Sequence, residues 1–271
     1  MKTVDGLKQI YSEHSEFGHQ LLTLARTDLI KTYRGAALGW AWAVIKPTIT
    51  IFVYWFAFSI GLRVGKDVNG YPFFLWLLAG IVPWFYFSEM MTRGTECVRR
   101  YKFLVTKMRF PVSTIPTFVS MSKLFTNLIL VVIAMAIFML FGHMPDVYWL
   151  QLPYYIICQF IFGTLFTQVN AILSVLSKDY MNLVKSLVTA TFWLSGILWS
   201  PEKVDVPWLR TMLKLNPVTY IASGYRKCLI DKEFIFSDKV PVIAFFSILL
   251  LLQLLSAWLY GKLRKELPDV L

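Results

Sequence analysis

Charge is scarce in this chain. Only 16% of its 271 residues are Asp, Glu, Lys or Arg, and 57% are hydrophobic; a soluble domain carries roughly 25% charged and about 45–50% apolar residues. The apolar residues gather in nearly uncharged runs of about 18 or more, the length a helix needs to cross roughly 30 Å of hydrocarbon. A soluble core would instead alternate at the strand or helix period. An ordinary soluble fold is therefore excluded, and the expectation is an all-α integral membrane protein.

Other absences narrow the function. Cys97, Cys158 and Cys228 show neither metal-ligand spacing nor a paired framework, and His14, His19 and His143 form no cluster. No phosphate-cradling G-x-x-x-x-G-K-[ST] loop is present. The nearest stretch, Gly61 to Asp67, is one residue too short and ends in Asp. No paired carboxylates or Ser/His/Asp set suggest an enzyme, and no cofactor is expected on the chain itself. No cleavable signal peptide is evident: the first apolar segment begins near Trp40, after a stretch holding Asp5, Glu13, Glu16 and Asp28. That stretch is expected to stay on the protein, inside the cell.

What is present is positive charge at the ends of apolar runs. The net charge of +11 does not form a basic stripe with stacking aromatics, so nucleic acid is not the expected partner. Flanking cations of this kind set topology. Six spans are expected at 39–61, 71–91, 114–141, 153–176, 185–200 and 240–260, the fifth being short. Lys2, Lys8, Arg26, Lys31 and Arg34 precede the first. Arg93, Arg99, Arg100, Lys102, Lys107 and Arg109 follow the second, and Lys262, Arg264 and Lys265 follow the last. The connection 142–152 has no Lys or Arg. Both termini are therefore expected in the cytoplasm, with Arg63 and Lys66 as a mild exception.

One connection breaks the rule. Residues 201–239 carry Lys203, Arg210, Lys214, Arg226, Lys227, Lys232 and Lys239 on the expected outer side, against Glu202, Asp205, Asp231, Glu233 and Asp238. Trp208, Leu209, Met212 and Leu213 repeat at helical spacing. Asn216 then suits an N-cap and Pro217 a first helical position, and Val218, Ile221, Tyr225 and Leu229 repeat again. Two short re-entrant helices over 201–231 are expected, which membranes tolerate where they are buried in protein or line water.

Before the first span, Leu22, Ala25, Leu29 and Tyr33 share one helical face, with Thr27, Lys31 and Arg34 opposite. Such a helix suits the inner headgroup layer, or alternatively a soluble helix docked on a partner. The segment 96–111 mixes Arg99, Arg100, Lys102, Lys107 and Arg109 with Tyr101, Phe103, Leu104, Val105 and Phe110. It reads either as a positive-inside anchor with snorkelling cations or as a short amphipathic helix for a partner's groove. Aromatics such as Trp40, Trp42, Trp55, Trp76, Trp84 and Phe192 fit interfacial belts. The group from Trp193 to Trp199 is the candidate for lining a path. Lys46, Glu89 and Arg93 sit at span ends, where snorkelling explains them; Asn170 with Lys178 and Asp179 is a candidate interhelical pair.

Several of these segments together resemble the permease subunits of ABC-2 type polysaccharide and teichoic acid exporters. They are Leu24 to Gly35 with Leu38 to Pro47, then Lys102 to Pro111, then Lys178-Asp179 with Trp193 to Pro201, and Leu215 to Arg226, in order along nearly the whole chain. The wording of 102–111 is most similar to wall teichoic acid exporters. The resemblance implies an interfacial N-terminal segment (1–38) carrying Leu22, Leu29, Tyr33 and Arg34, and a single transmembrane domain (39–271). It implies a cytoplasmic coupling region at 94–111, with Arg99, Arg100, Tyr101, Lys102, Phe103 and Leu104 meeting an ATPase. Trp193, Trp199, Arg210, Lys214, Tyr225 and Arg226 would lie on a transport path or exit. It also implies a second copy of the chain, two separate ATPase subunits holding ATP and Mg, and a lipid-linked polymer crossing the bacterial cell membrane. An anionic wall teichoic acid would suit the outer cations. A neutral O-antigen or capsular polysaccharide, a small drug, or a polyprenyl-linked membrane glycosyltransferase are the alternatives.

Overall fold

A computed structural model describes residues 2–63, 65–108, 110–201, 204–264 and 266–267; Arg109, Glu202, Lys203 and Lys265 of the charge reading lie outside the described residues. Regular structure among these residues is helical, apart from one bridge between Val68 and Tyr71. The chain opens with α1 (Lys2–Tyr33), α2 (Trp42–Trp55) and α3 (Phe73–Glu89), the last two each prolonged by a π-helical turn. α4 (Cys97–Arg100) and α5 (Lys102–Thr106) are short. There follow α6 (Ile115–Leu140), α7 (Leu152–Leu176), α8 (Lys178–Leu194), α9 (Pro207–Leu215), α10 (Pro217–Arg226) and α11 (Lys239–Leu263). Proline opens several of them: Pro116, Pro153, Pro207 and Pro217 all occupy the first turn, where no backbone N–H is missed. Asn216 caps α10 by accepting from the Val218 N–H at 2.9 Å, as its sequence context indicates.

Among the described residues, five helical segments are long and apolar enough to cross a membrane: Gly39–Gly61, Phe73–Gly94, Val112–Leu140, Val147–Leu176 and Lys239–Leu263. The sixth span expected at 185–200 is overturned. α8 has 17 residues, about 25 Å of helix at 1.5 Å per residue, short of roughly 30 Å of hydrocarbon. Asp179, Asn182, Lys185, Ser186 and Thr189 dilute its apolar content, and the chain turns at Gly196 with φ of +61°.

The two helices after it do form, but not as a re-entrant pair. α9 is a surface helix with Trp208 and Met212 exposed and only Leu213 buried, whereas α10 is buried along most of its length and packs on α3, α7 and α11. Both are amphipathic by spacing, and spacing alone does not say which neighbour arrives to cover the apolar side.

Two apolar cores stack along the bundle. One is built from α3, α7, α10 and the start of α11; the other from α1, the 97–112 segment, the start of α6 and the ends of α7 and α11. One chain of polar side chains inside the bundle is paired end to end, as a low-dielectric interior favours. Asn127 donates to the Val82 carbonyl at 2.8 Å, Gln159 to Asn127 at 2.9 Å and Tyr225 to Gln159 at 3.0 Å, joining α3, α6, α7 and α10.

α1 is held by the bundle. It packs on α6 and α11, so close at Gly6 that a Cβ would meet the backbone of Ala257. Its buried positions are Ile10, Leu21, Ala25 and Asp28. That stripe lies one residue, about 100°, round from the expected apolar face. Of that face, Ala25 is buried, Leu29 and Tyr33 are half-buried and Leu22 is exposed.

Candidate functional site

At the end of the bundle where α1 lies, one carboxylate gathers three elements. Asp28 of α1 is 3% exposed. It accepts from the Tyr101 hydroxyl at 2.5 Å and the Ser122 hydroxyl of α6 at 2.5 Å. The Lys123 ammonium stands 3.7 Å away and donates to Thr32 at 3.1 Å. Burial, and the bond to the Asp28 carboxylate, hold the Tyr101 phenol well above its ordinary range, so it stays a donor at any cellular pH. A second carboxylate does the same job about four turns earlier on α1. Glu13 accepts from Tyr260 of α11 at 2.7 Å, from Ser113 at 2.5 Å and from Gln9 at 2.9 Å.

The segment between these anchors has two sides. Cys97, Val98, Tyr101, Leu104, Val105 and Phe110 are buried. Arg99 donates to the carbonyls of Ser174 and Val175 at 2.6 and 2.9 Å, satisfying the C-terminal end of α7, where cations are favoured. Arg100 pairs with Glu96 at 3.4 Å. Outward stand Lys102, Phe103, Lys107 and Met108, with Phe103 42% and Met108 66% exposed. The segment is thus fixed on one side and offers apolar residues flanked by cations on the other.

α8 presents another unusual surface. It buries Met181, Val184 and Phe192, the last against Tyr54 and Trp84 with ring centroids at 5.2 Å. Asn182, Lys185, Ser186 and Thr189 are exposed. α2, its neighbour at that contact, has only 11% of its apolar window buried, with Ile49, Phe52, Val53 and Phe56 exposed.

The opposite end of the molecule holds a cavity of about 660 Å³ between the start of α3, the 198–204 turn, α10 and the 231–241 connection. Arg226 forms part of its floor. The guanidinium lies 3.5 Å from the centre of the Trp76 ring and donates to the carbonyls of Gly196 and Ile197 at 2.8 and 2.5 Å. Gly80 makes room for it, since a Cβ there would overlap the guanidinium. Lys214 pairs with Asp238 at 2.6 Å and Lys227 with Glu233 at 3.2 Å. The hydrogen bond from Lys214 holds Asp238 below the usual carboxylate range.

A sequence profile of the ABC-2 type transporter family matches residues 19–230. The chain belongs to that family. This ABC-2 chain is a multi-pass helical membrane permease, a transport subunit and not an enzyme. It is 26% identical over 250 residues to an O-antigen export system permease protein RfbA of Myxococcus xanthus, covering 92% of this chain and 94% of that one. Two proteins of the same name from Klebsiella pneumoniae are 24% and 23% identical, each over 93% of this chain and 94% of their own. Among the described residues no group of His, Cys, Asp and Glu could hold a metal ion.

Of the residues singled out in the permease's sequence, Trp199, Lys214 and Arg226 line this cavity. Tyr225 is buried on Gln159. Arg210 donates to the Val204 carbonyl at 3.0 and 2.6 Å, and Trp193 is exposed on α8, its carbonyl accepting from the Trp199 indole at 2.9 Å. Arg34 is exposed beyond the end of α1. Asn170 accepts from the Tyr180 hydroxyl, and the side chain of Lys178 lies outside the described residues. Sequence reasoning missed Asp28, Glu13 and Lys123 as a set. A signal existed: Lys123 is the single charge inside the 114–141 run, and a charge there demands a partner.

Proposed function

We propose that this permease is the membrane half of an ATP-driven exporter for a lipid-linked polysaccharide of the O-antigen kind, working as two copies with two separate ATPase subunits that hold ATP and Mg. The observation that carries the substrate class is the likeness to O-antigen export permeases along 92–93% of the chain. An anionic wall teichoic acid is the less supported cargo. The outer cations that would favour it are engaged, Lys214 and Lys227 by carboxylates and Arg210 and Arg226 by carbonyls.

The chemistry of each surface supports a role. Phe103 and Met108, ringed by Lys102 and Lys107, suit an acidic-rimmed apolar groove on an ATPase. Movement of that ATPase would pass through Tyr101 and Arg99 to Asp28 on α1, Ser122 on α6 and the end of α7. In this reading the end bearing α1, this segment and the close of α11 faces the cytoplasm. The polar face of α8 is costly against lipid. It suits a hydrated path between two copies, along which sugars would move.

The test is co-reconstitution of the permease with the ATPase that co-purifies with it, scoring movement of a lipid-linked O-antigen across vesicles. ATP-dependent movement supports the reading. A chain that brings down no ATPase and moves glycan without ATP sinks it.

A further inference from the structure

The outer end of α8 is held by α10, through its cap Asn216 and its last residue Arg226. α8 ends at Leu194, where the final carbonyls of a helix have no partner within it. Asn216 donates to the Leu194 carbonyl at 3.4 Å and to the Ser195 hydroxyl at 3.1 Å. Arg226 donates to the next two exposed acceptors in the turn, the Gly196 and Ile197 carbonyls. The same guanidinium reaches α3, with Nε 3.4 Å from the Trp76 carbonyl and the Trp76 ring beneath it. One side chain thus fastens three elements.

Folding alone does not call for a charge in this place. Arg226 is 4% exposed, and apolar packing in place of a buried charge is often neutral or stabilising. What a planar, fixed fork of donors adds is one particular arrangement of the carbonyls it grips. Gly80 is shaped to that grip, since a Cβ there would overlap the guanidinium.

The rest of α8 is lightly held. Of its described side chains only Met181, Val184 and Phe192 are buried. Near its start Tyr180 donates to Asn170 of α7, and the helix packs on the π-helical turn Met90–Gly94, which leads into the 97–110 segment. Such turns often mark functional sites. At the other end, Leu198, Trp199 and Arg226 border the cavity of about 660 Å³, so the turn after α8 has empty space beside it. α8 therefore connects the segment that faces the ATPase to the Arg226 grip.

We propose that Arg226 is a positioning residue for export: it latches the outer end of α8 in the resting permease, and each ATP-driven cycle releases it. This rests on the transport reading above. A seated Arg226 keeps the path along α8 shut toward the outside, and its departure opens that path.

The test places the full permease with its co-purifying ATPase in vesicles loaded with radiolabelled sucrose. The wild type should retain the sugar without ATP. Arg226→Gln removes the charged fork, and Gly80→Ala keeps Arg226 but fills its seat. Each should release sucrose about tenfold faster or more, since hydrogen bonds from a charged group are strong enough to shift a closed–open balance by that factor. Arg226→Lys, which keeps the charge without the fork, should fall between them and the wild type. A residue that only braced the fold would lower thermal stability and leave the vesicles tight. A second measurement keeps Arg226 in place. Ser195 is buried beside the latch, and Ser195→Cys should react with a water-soluble maleimide several-fold faster during ATP turnover than at rest. The wild-type chain, with its three buried cysteines, is the control. Tight vesicles with folded Arg226→Gln and Gly80→Ala, or an unchanged rate for Ser195→Cys during turnover, overturn the proposal. Glycan movement by the wild type is scored separately: its absence removes the transport reading, whereas its presence beside either overturning result removes the latch alone.

Discussion

Asp28 shows how much one side chain can organise. Two hydroxyls and an ammonium converge on it from two elements, the 97–110 segment and α6. Replacing it with alanine leaves Lys123, Tyr101 and Ser122 without their common partner in a buried place. Breaking a buried pair from one side costs about 3–5 kcal/mol. Lys123→Met should cost less than Asp28→Ala, because the Asp28 carboxylate keeps its two hydroxyl donors. Thermal unfolding of the two variants in detergent checks the order. The Lys214–Asp238 pair makes a pH prediction. Asp238 titrates below its ordinary value because Lys214 donates to it, so the pair stabilises the fold above the usual carboxylate range near pH 4. That contribution disappears as pH falls through the lowered folded value. The stability gap between wild type and Lys214→Gln should therefore be flat from neutrality to about pH 5 and close below about pH 4.

At the scale of elements, the 97–110 segment separates folding from coupling. Phe103 and Met108 stand exposed while Leu104, Val105 and Phe110 are buried. Phe103→Ser with Met108→Ser should leave thermal stability unchanged but weaken capture of the ATPase about tenfold or more, given about 1.5–3 kcal/mol for each large apolar side chain buried. Pull-down against the purified ATPase measures it. The elements were legible to different degrees. Long apolar runs and proline starts mark four of the spans within a few residues, and Asn216-Pro217 marks α10. α8 was misjudged because an apolar stretch at 187–198 borrowed residues from a turn that Gly196 bends away. On α1 the amphipathic period was visible, but the buried stripe includes Asp28, which no hydropathy pattern assigns to an interior. The cavity and the Asp28 cluster join residues far apart in the chain, such as Asp28 with Ser122, 94 positions on. A single sequence carries no mark of such pairs.

At the scale of the whole molecule, the proposed second copy can be tested on one face of the bundle. An exposed row of Asn182, Lys185, Ser186 and Thr189 runs along α8, and α2, which α8 meets at Phe192, leaves most of its apolar surface uncovered. Two copies meeting along this side would enclose the polar row and cover part of α2. Cysteines placed singly at Ser186 or Leu187 should cross-link between copies and react with a water-soluble maleimide. Lipid-facing Ile243, exposed on α11, should do neither when replaced by cysteine. Equal behaviour at both places would leave the two-copy path without support.

The clasp between Glu13 and Tyr260 bridges 247 positions of the chain. Glu13 is made 247 residues before Tyr260, so at about 5–20 residues per second the ribosome separates them by roughly 12–50 s. Throughout that interval α1 has no α11 to lie on, and the faces holding Ile10, Leu21 and Ala25 remain without part of their cover. Synthesis of α11 is thus itself a checkpoint: only a chain translated through that helix can fold α1 away, and one terminated before it displays α1 to the cell's proteases.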